Sequence, residues 1–210
     1  MNDFSLEGIQ NIIFDLGNVI LNLDFQATDD AFKKLNPLVY DKAIRELNEV
    51  SFFEKYEKGE ISSEDFLKTI KEKLNQNTNQ QDIIHAWNSM LKDIPDIRFE
   101  ILLALKKQYR TFCLSNTNEI HINFLFDRLQ KRKGLKNYDS FFEKVYFSFE
   151  MGKRKPNADI FESVLKDSQL SPSETLFIDD VKEHINTAKR LGIRTFHLKE
   201  GNSIEQLFEI

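Results

Sequence analysis

The run Asn11-Ile12-Ile13-Phe14-Asp15-Leu16-Gly17-Asn18 decides the fold. Asn11 to Phe14 is short and apolar, lacks the alternation of a half-buried strand, and breaks off at residues that favour turns. Such a run suits a strand covered on both faces, as in a parallel sheet. Three further runs share the design. Thr111-Phe112-Cys113-Leu114 leads into Ser115-Asn116, Lys144-Val145-Tyr146-Phe147 into Ser148, and Thr175-Leu176-Phe177-Ile178 into Asp179-Asp180. Arg194 to Leu198 reads as a fifth strand. Helical patterns lie between them. Asp96 to Tyr109 sets Ile97, Ile101, Leu102 and Leu105 on one face. Ala158 to Leu165 follows Pro156, and Val181 to Leu191 stops at Gly192. Strands alternating with helices predict a doubly wound, Rossmann-like α/β domain.

From about Asp24 to Ile94 the pattern is helical only: Ala27 to Leu35, Asp41 to Val50, Phe52 to Lys58 stopping at Gly59, Ser63 to Leu74, and Asp82 to Leu91. Ser62 with Asp65 resembles a capping box, and Asn75 to Gln81 is a short polar linker. The expected organisation is an α/β core, residues 1–23 and 95–210, interrupted by a helical unit, residues 24–94. Helix packing is the expected role of Trp87, Tyr56 and Phe53, with lining of a substrate pocket as the alternative.

The 210 residues carry 29 Lys and Arg against 34 Asp and Glu, a net charge of -5, so no nucleic-acid partner is expected. The single cysteine, Cys113, excludes an internal disulfide and reads as a small buried hydrophobe in a reducing compartment. Met1 to Ser5 shows neither a basic nor an apolar leader region. The longest apolar runs, such as Ile101 to Leu105, are too short to cross a bilayer. A cytoplasmic protein without a membrane partner is expected, as a monomer or a homodimer. His85, His121 and His197 lack metal-ligand spacing, and Lys131-Arg132-Lys133 reads as a solvated helix end. Gly-x-x-x-x-Gly-Lys-Ser/Thr, Gly-x-Gly-x-x-Gly and Gly-x-Ser-x-Gly are all absent, which leaves P-loop, dinucleotide-binding and serine-hydrolase chemistry without support.

In open parallel sheets, ligands bind beyond the carboxyl ends of the strands. Here those ends carry Asp15, Ser115 and Asp179-Asp180, and Met151-Gly152-Lys153-Arg154-Lys155-Pro156 follows the third run. Three carboxylates, a hydroxyl and an ammonium make a poor core but a good site for a cation and a phosphate. Clustered carboxylates repel unless a cation sits between them, and magnesium suits a site of few carboxylates, water and phosphate oxygens. An aspartate can also attack phosphorus.

These residues resemble the haloacid dehalogenase superfamily, in its aspartate-nucleophile phosphatase branch. The four motifs stand as Phe14-Asp15-Leu16-Gly17-Asn18-Val19-Ile20, Leu114-Ser115-Asn116, Lys155-Pro156 and Phe177-Ile178-Asp179-Asp180, and the helical unit falls where that family carries a helical cap. Asp-Leu-Gly-Asn-Val and Gly-x-Arg-Lys-Pro look most like bacterial glucose-1-phosphatase-type members, and more distantly like the phosphatase domain of soluble epoxide hydrolases. The resemblance implies a nucleophile and magnesium ligand in Asp15, phosphate binding by Ser115 and Asn116, and charge balance by Lys155. It implies magnesium on Asp180 and the Gly17 backbone carbonyl, with Asp179 coordinating the ion or orienting a bound water.

Two positions depart from the pattern. The family keeps a second aspartate two residues after the nucleophile as its acid/base; here that residue is Gly17. General acid–base catalysis is worth about 10² to 10⁴ in rate. His184 stands where many relatives have asparagine. The expected function is magnesium-dependent hydrolysis of a small phosphorylated metabolite, a sugar phosphate such as glucose 1-phosphate, through an aspartyl-phosphate on Asp15. A non-catalytic phosphometabolite-binding protein is the alternative. A phosphomutase needs the missing acid/base, and metal-free dehalogenation would leave Asp179-Asp180 unemployed.

Overall fold

The computed structural model describes residues 5–135 and 137–208. Residues 1–4, most of the segment read above for a leader, lie outside them. The strands are β1 (Asn11–Phe14), β2 (Arg110–Ser115), β3 (Lys144–Phe147), β4 (Thr175–Asp179) and β5 (Arg194–His197). They form one sheet in the order β3-β2-β1-β4-β5, every pair parallel. In this register Phe14 lies beside Cys113 on one side and Ile178 on the other, so Asp15 follows at the same edge as Ser115 and Asp179. The order reverses at β1, which makes its carboxyl end the topological switch point of the sheet.

Five helices fill the segment after β1: α1 (Phe25–Leu35), α2 (Tyr40–Glu49), α3 (Phe52–Glu57), α4 (Ser63–Leu74) and α5 (Gln80–Asn88). They enclose a core of their own around Phe66, which stacks on Tyr56 at 4.1 Å and on Phe52 at 5.4 Å. The chain enters and leaves this unit through two paired segments. Asp24 N donates to Met90 O, Lys92 N to Asn22 O and Asn22 N to Asp93 O, all within 3.0 Å.

The remaining helices are α6 (Asp96–Lys106), α7 (Glu119–Lys133), α8 (Ser148–Met151), α9 (Ala158–Asp167), α10 (Lys182–Arg190) and α11 (Ile204–Leu207). Side chains alternate across a strand. Ile12, Phe14 and Ile178 therefore join Leu102, Leu105 and Leu125 of α6 and α7, while Ile13 and Phe177 join Phe161 of α9 and Ala188 of α10. Both faces of β1 are thus buried, as its unbroken apolar run requires.

Two local readings change. Helix α7 escaped the sequence pattern because Ile120, Ile122, Phe124 and Phe126 alternate at the period of a strand. Its ends decide for helix: the Asn118 side chain accepts from His121 N at 3.1 Å, and Gly134 closes the helix at φ 66°. Arg132 and Lys133 at its end reach back to Asp96 at 2.7 and 2.8 Å. The Ser62 hydroxyl caps Asp65 N, but the shorter Asp65 side chain takes the Ser62 hydroxyl proton rather than reaching back to the backbone, so the box is half made.

Gly59 ends α3 at φ 69°, where a Cβ would stand 2.3 Å from the carbonyl oxygen of Phe149 in α8. Left-handed backbone alone costs an L-residue roughly 1–2 kcal/mol. Gly59→Ala is expected to lower stability by at least that amount, read as a fall in the urea midpoint at unchanged slope.

Candidate active site

Asp15 leaves β1 with its amide donating to Ile178 O at 2.9 Å, so the ladder with β4 carries one residue past the strand. The next turn closes on itself: Ile20 and Leu21 amides both donate to Leu16 O, and Asn18 takes φ 54°. Asn is among the residues that tolerate that left-handed conformation. The Asn18 side chain then donates through Nδ2 to Asp180 Oδ2 at 2.9 Å, tying the turn after β1 to the end of β4.

Lys155 is wholly buried. Its ammonium lies 2.7 Å from Asp15 Oδ1, 2.7 Å from Asp179 Oδ2, and donates to Leu114 O at 2.9 Å. The backbone of Lys155 is clasped by Asn116, whose Oδ1 accepts from Lys155 N at 2.9 Å and whose Nδ2 donates to Lys155 O at 2.8 Å. The Asn116 side chain is therefore committed to placing Lys155. Ser115 is buried, and its hydroxyl makes only a long 3.4 Å contact with Asn116 O among the described residues.

Asp179 is fully buried and accepts from Lys155, from Val181 N at 2.7 Å and from His184 Nδ1 at 3.0 Å. Oxygens of Asp15, Asp179 and Asp180 all lie within 4.8 Å of one another. Three carboxylates against one ammonium leave an excess of negative charge. A donor set made only of oxygens at this spacing fits a hard divalent cation.

The charges answer to their surroundings. Burial pushes the Asp15 carboxyl up to about 7; Lys155 opposes the rise while Asp179 and Asp180 add to it. Burial disfavours the Lys155 ammonium, but Asp15 and Asp179 outweigh it and hold its pKa above the usual lysine range. Burial likewise works against ionised Asp179, yet Lys155 and His184 keep it below the usual carboxylate range.

Asp15, Gly17, Ser115, Asn116, Lys155 and Asp180 line one cavity of about 540 Å³, and Asp179 lies behind it. The helical unit closes the other side with Phe25, Glu57, Trp87 and Met90. Of Lys153, Arg154 and Lys155, the first turns away to Ser163 at 2.7 Å, and the second faces the cavity on Glu57. Trp87 lines the cavity and also packs on Phe53 and Phe66; Tyr56 lies in the core of the helical unit. Sequence reasoning missed Glu57, Phe25, Asn18 and His121. Glu57 looks like an ordinary solvated helix end, and nothing in its neighbours points to a cavity.

A haloacid dehalogenase-like hydrolase family model matches residues 9–192. The chain belongs to the haloacid dehalogenase-like hydrolases. It is 31% identical over 193 residues to a D-ribitol-5-phosphate phosphatase of Bacteroides thetaiotaomicron, covering 92% of this chain and 93% of that one. A crystal structure of a haloacid dehalogenase family enzyme from the same organism superposes with a TM-score of 0.89 at 35% identity, over 96% of this chain and 98% of that one. The same enzyme in complex with magnesium and inorganic phosphate gives 0.83 at 34% identity, over 95% and 99%. The α/β core and the helices inserted after β1 are thus those of a haloacid dehalogenase-like hydrolase.

Between the helical unit and α7, Trp87 stacks on His121 at 4.9 Å. His121 Nε2 lies 3.1 Å from Trp87 O, and Nδ1 lies 3.1 Å from Asn118 Nδ2. Burial drives the imidazole pKa down to about 4. The unfolded chain takes up its proton near 6.5, so this histidine's contribution is complete above 6.5 and is lost as pH falls from there through 4. Between pH 7 and pH 5 it should cost about 2 kcal/mol of stability, a loss that His121→Gln removes in urea unfolding. An NMR titration midpoint of His121 at 6.5 would overturn this.

Proposed function

We propose that the chain is a magnesium-dependent phosphatase for small phosphorylated metabolites, working through an aspartyl-phosphate on Asp15. The observation that carries this is Lys155, buried to zero exposure and hydrogen-bonded to both Asp15 and Asp179 at the floor of the cavity. In this arrangement Asp15 Oδ attacks phosphorus, the bond from phosphorus to the substrate oxygen breaks, and the leaving oxygen takes a proton from water. A second water attacks the same phosphorus, inorganic phosphate leaves, and Asp15 is regenerated. Lys155 balances the charge on Asp15 and the phosphoryl oxygens, and the otherwise idle Ser115 hydroxyl turns to a phosphoryl oxygen. Asn116 contributes by holding Lys155.

Asp15, Asp180 and the Gly17 carbonyl would hold magnesium, with Asp179 orienting a water behind them. The ion supplies charge stabilisation to the phosphoryl oxygens. Residues 24–94 act as a cap over the core, residues 1–23 and 95–210, and keep water from the reacting atoms. Cytoplasmic work fits the single, buried Cys113. Between hexose 1-phosphates and pentitol 5-phosphates, similarity to the D-ribitol-5-phosphate phosphatase favours the second.

Turnover of a panel including D-ribitol 5-phosphate and glucose 1-phosphate should vanish with chelator and return with magnesium. Asp15→Asn should lower kcat by at least about 10³, the scale of losing a nucleophile. Full turnover by that variant, or in chelator, would sink the proposal.

A further inference from the structure

We propose that Glu57, anchored by Arg154, reads hydroxyl groups on the carbon skeleton of the substrate; this rests on the phosphatase reading above and names what that site selects. Three carboxylates line the cavity among the described residues. Asp15 and Asp180 belong to the cluster beside Lys155, and Glu57 alone comes from the helical unit. Arg154, the residue before Lys155, donates to Glu57 Oε2 through Nε at 3.1 Å and through Nη2 at 3.0 Å. Its Nη1 lies 3.2 Å from Glu54 Oε1. The guanidinium is thereby spent on two cap carboxylates and is not free to bind the phosphoryl group.

Both Arg154 contacts fall on one oxygen of Glu57. Among the described residues no hydrogen bond reaches the other, Oε1. A carboxylate cannot take the phosphoryl end of the substrate, because like charges repel. It can accept from neutral hydroxyls, and a charged acceptor makes the stronger kind of hydrogen bond. The rest of the cavity wall on this side is apolar, formed by Leu23, Phe25, Trp87, Met90 and Leu91. Two other polar groups nearby are engaged: both His121 ring nitrogens have partners, and Asn18 is held by Asp180 and Leu23 N. A hydroxylated chain reaching from Asp15 toward the cap therefore meets a fixed carboxylate acceptor in Glu57. The preferred class is a polyhydroxylated phosphomonoester over an alkyl phosphate of equal length.

The test compares kcat/KM for D-ribitol 5-phosphate and n-pentyl phosphate, with 4-nitrophenyl phosphate as a hydroxyl-free reporter of phosphatase activity. A site built to bond a hydroxyl rejects the analogue lacking it, so the native protein should prefer the ribitol ester by at least about 10-fold. In Glu57→Ala that preference should collapse by about 10- to 100-fold, and Glu57→Gln, which keeps volume and an acceptor oxygen, should fall between. An equal fall on both substrates, or no preference in the native protein while 4-nitrophenyl phosphate is hydrolysed, overturns the role of Glu57 and leaves the phosphatase standing. Turnover of none of the three overturns both.

Discussion

Lys155 carries a positive charge into the sheet's carboxyl edge, where leaving water costs an ion several kcal/mol unless partners replace it. The partners are Asp15, Asp179 and the Leu114 carbonyl, contributed by the ends of β1, β4 and β2. The three-way bond can form only because β1 lies between β2 and β4 and because Phe14 is level with both Cys113 and Ile178. Strand order, register and charge are thus one constraint seen from three sides. A one-residue slip of β1 would turn Asp15 to the other face, leaving Lys155 and Asp179 without their third partner.

Much of this was legible in the residues. The unbroken apolar runs marked central strands, and a polar residue at the end of each marked the edge where ligands collect. Asp15, Ser115, Lys155, Asp179 and Asp180 do meet there. What the residues hid was whatever depends on contact between distant segments. Helix α7 alternates like a strand and is settled by the Asn118 cap and Gly134. For Asn116, the residues hid that its side chain holds the backbone of Lys155. Glu57 carried no local signal, because its meaning comes from Arg154, far along the chain.

Gly17 shows a different kind of dependence. A Cβ there would lie 2.7 Å from Leu23 Cδ1. Leu23 belongs to the segment leading into the helical unit, so the absence of a side chain at 17 and the path of the connector fit together. The space beside the reacting edge is occupied by a methyl group. A carboxyl placed at 17 by substitution would have to move the leucine before it could reach a leaving oxygen.

The paired connectors at Asn22 to Asp24 and Met90 to Asp93 have a consequence for how the molecule varies. They bring the two ends of the helical unit within hydrogen-bonding distance, so that unit is a closed loop on a fixed footing. The helices above that footing also rest on the core, where Trp87 stacks on His121 of α7 and Gly59 abuts Phe149 of α8. Cavity-facing residues between those contacts can change while the two crossing points stay where they are. The carboxylates and Lys155 at the sheet edge sit below the junction, and Glu57, Trp87 and Phe25 above it. The wall of the cavity and the charged cluster at its floor can therefore vary separately, and Arg154 on Glu57 is one of the contacts that tie the two together.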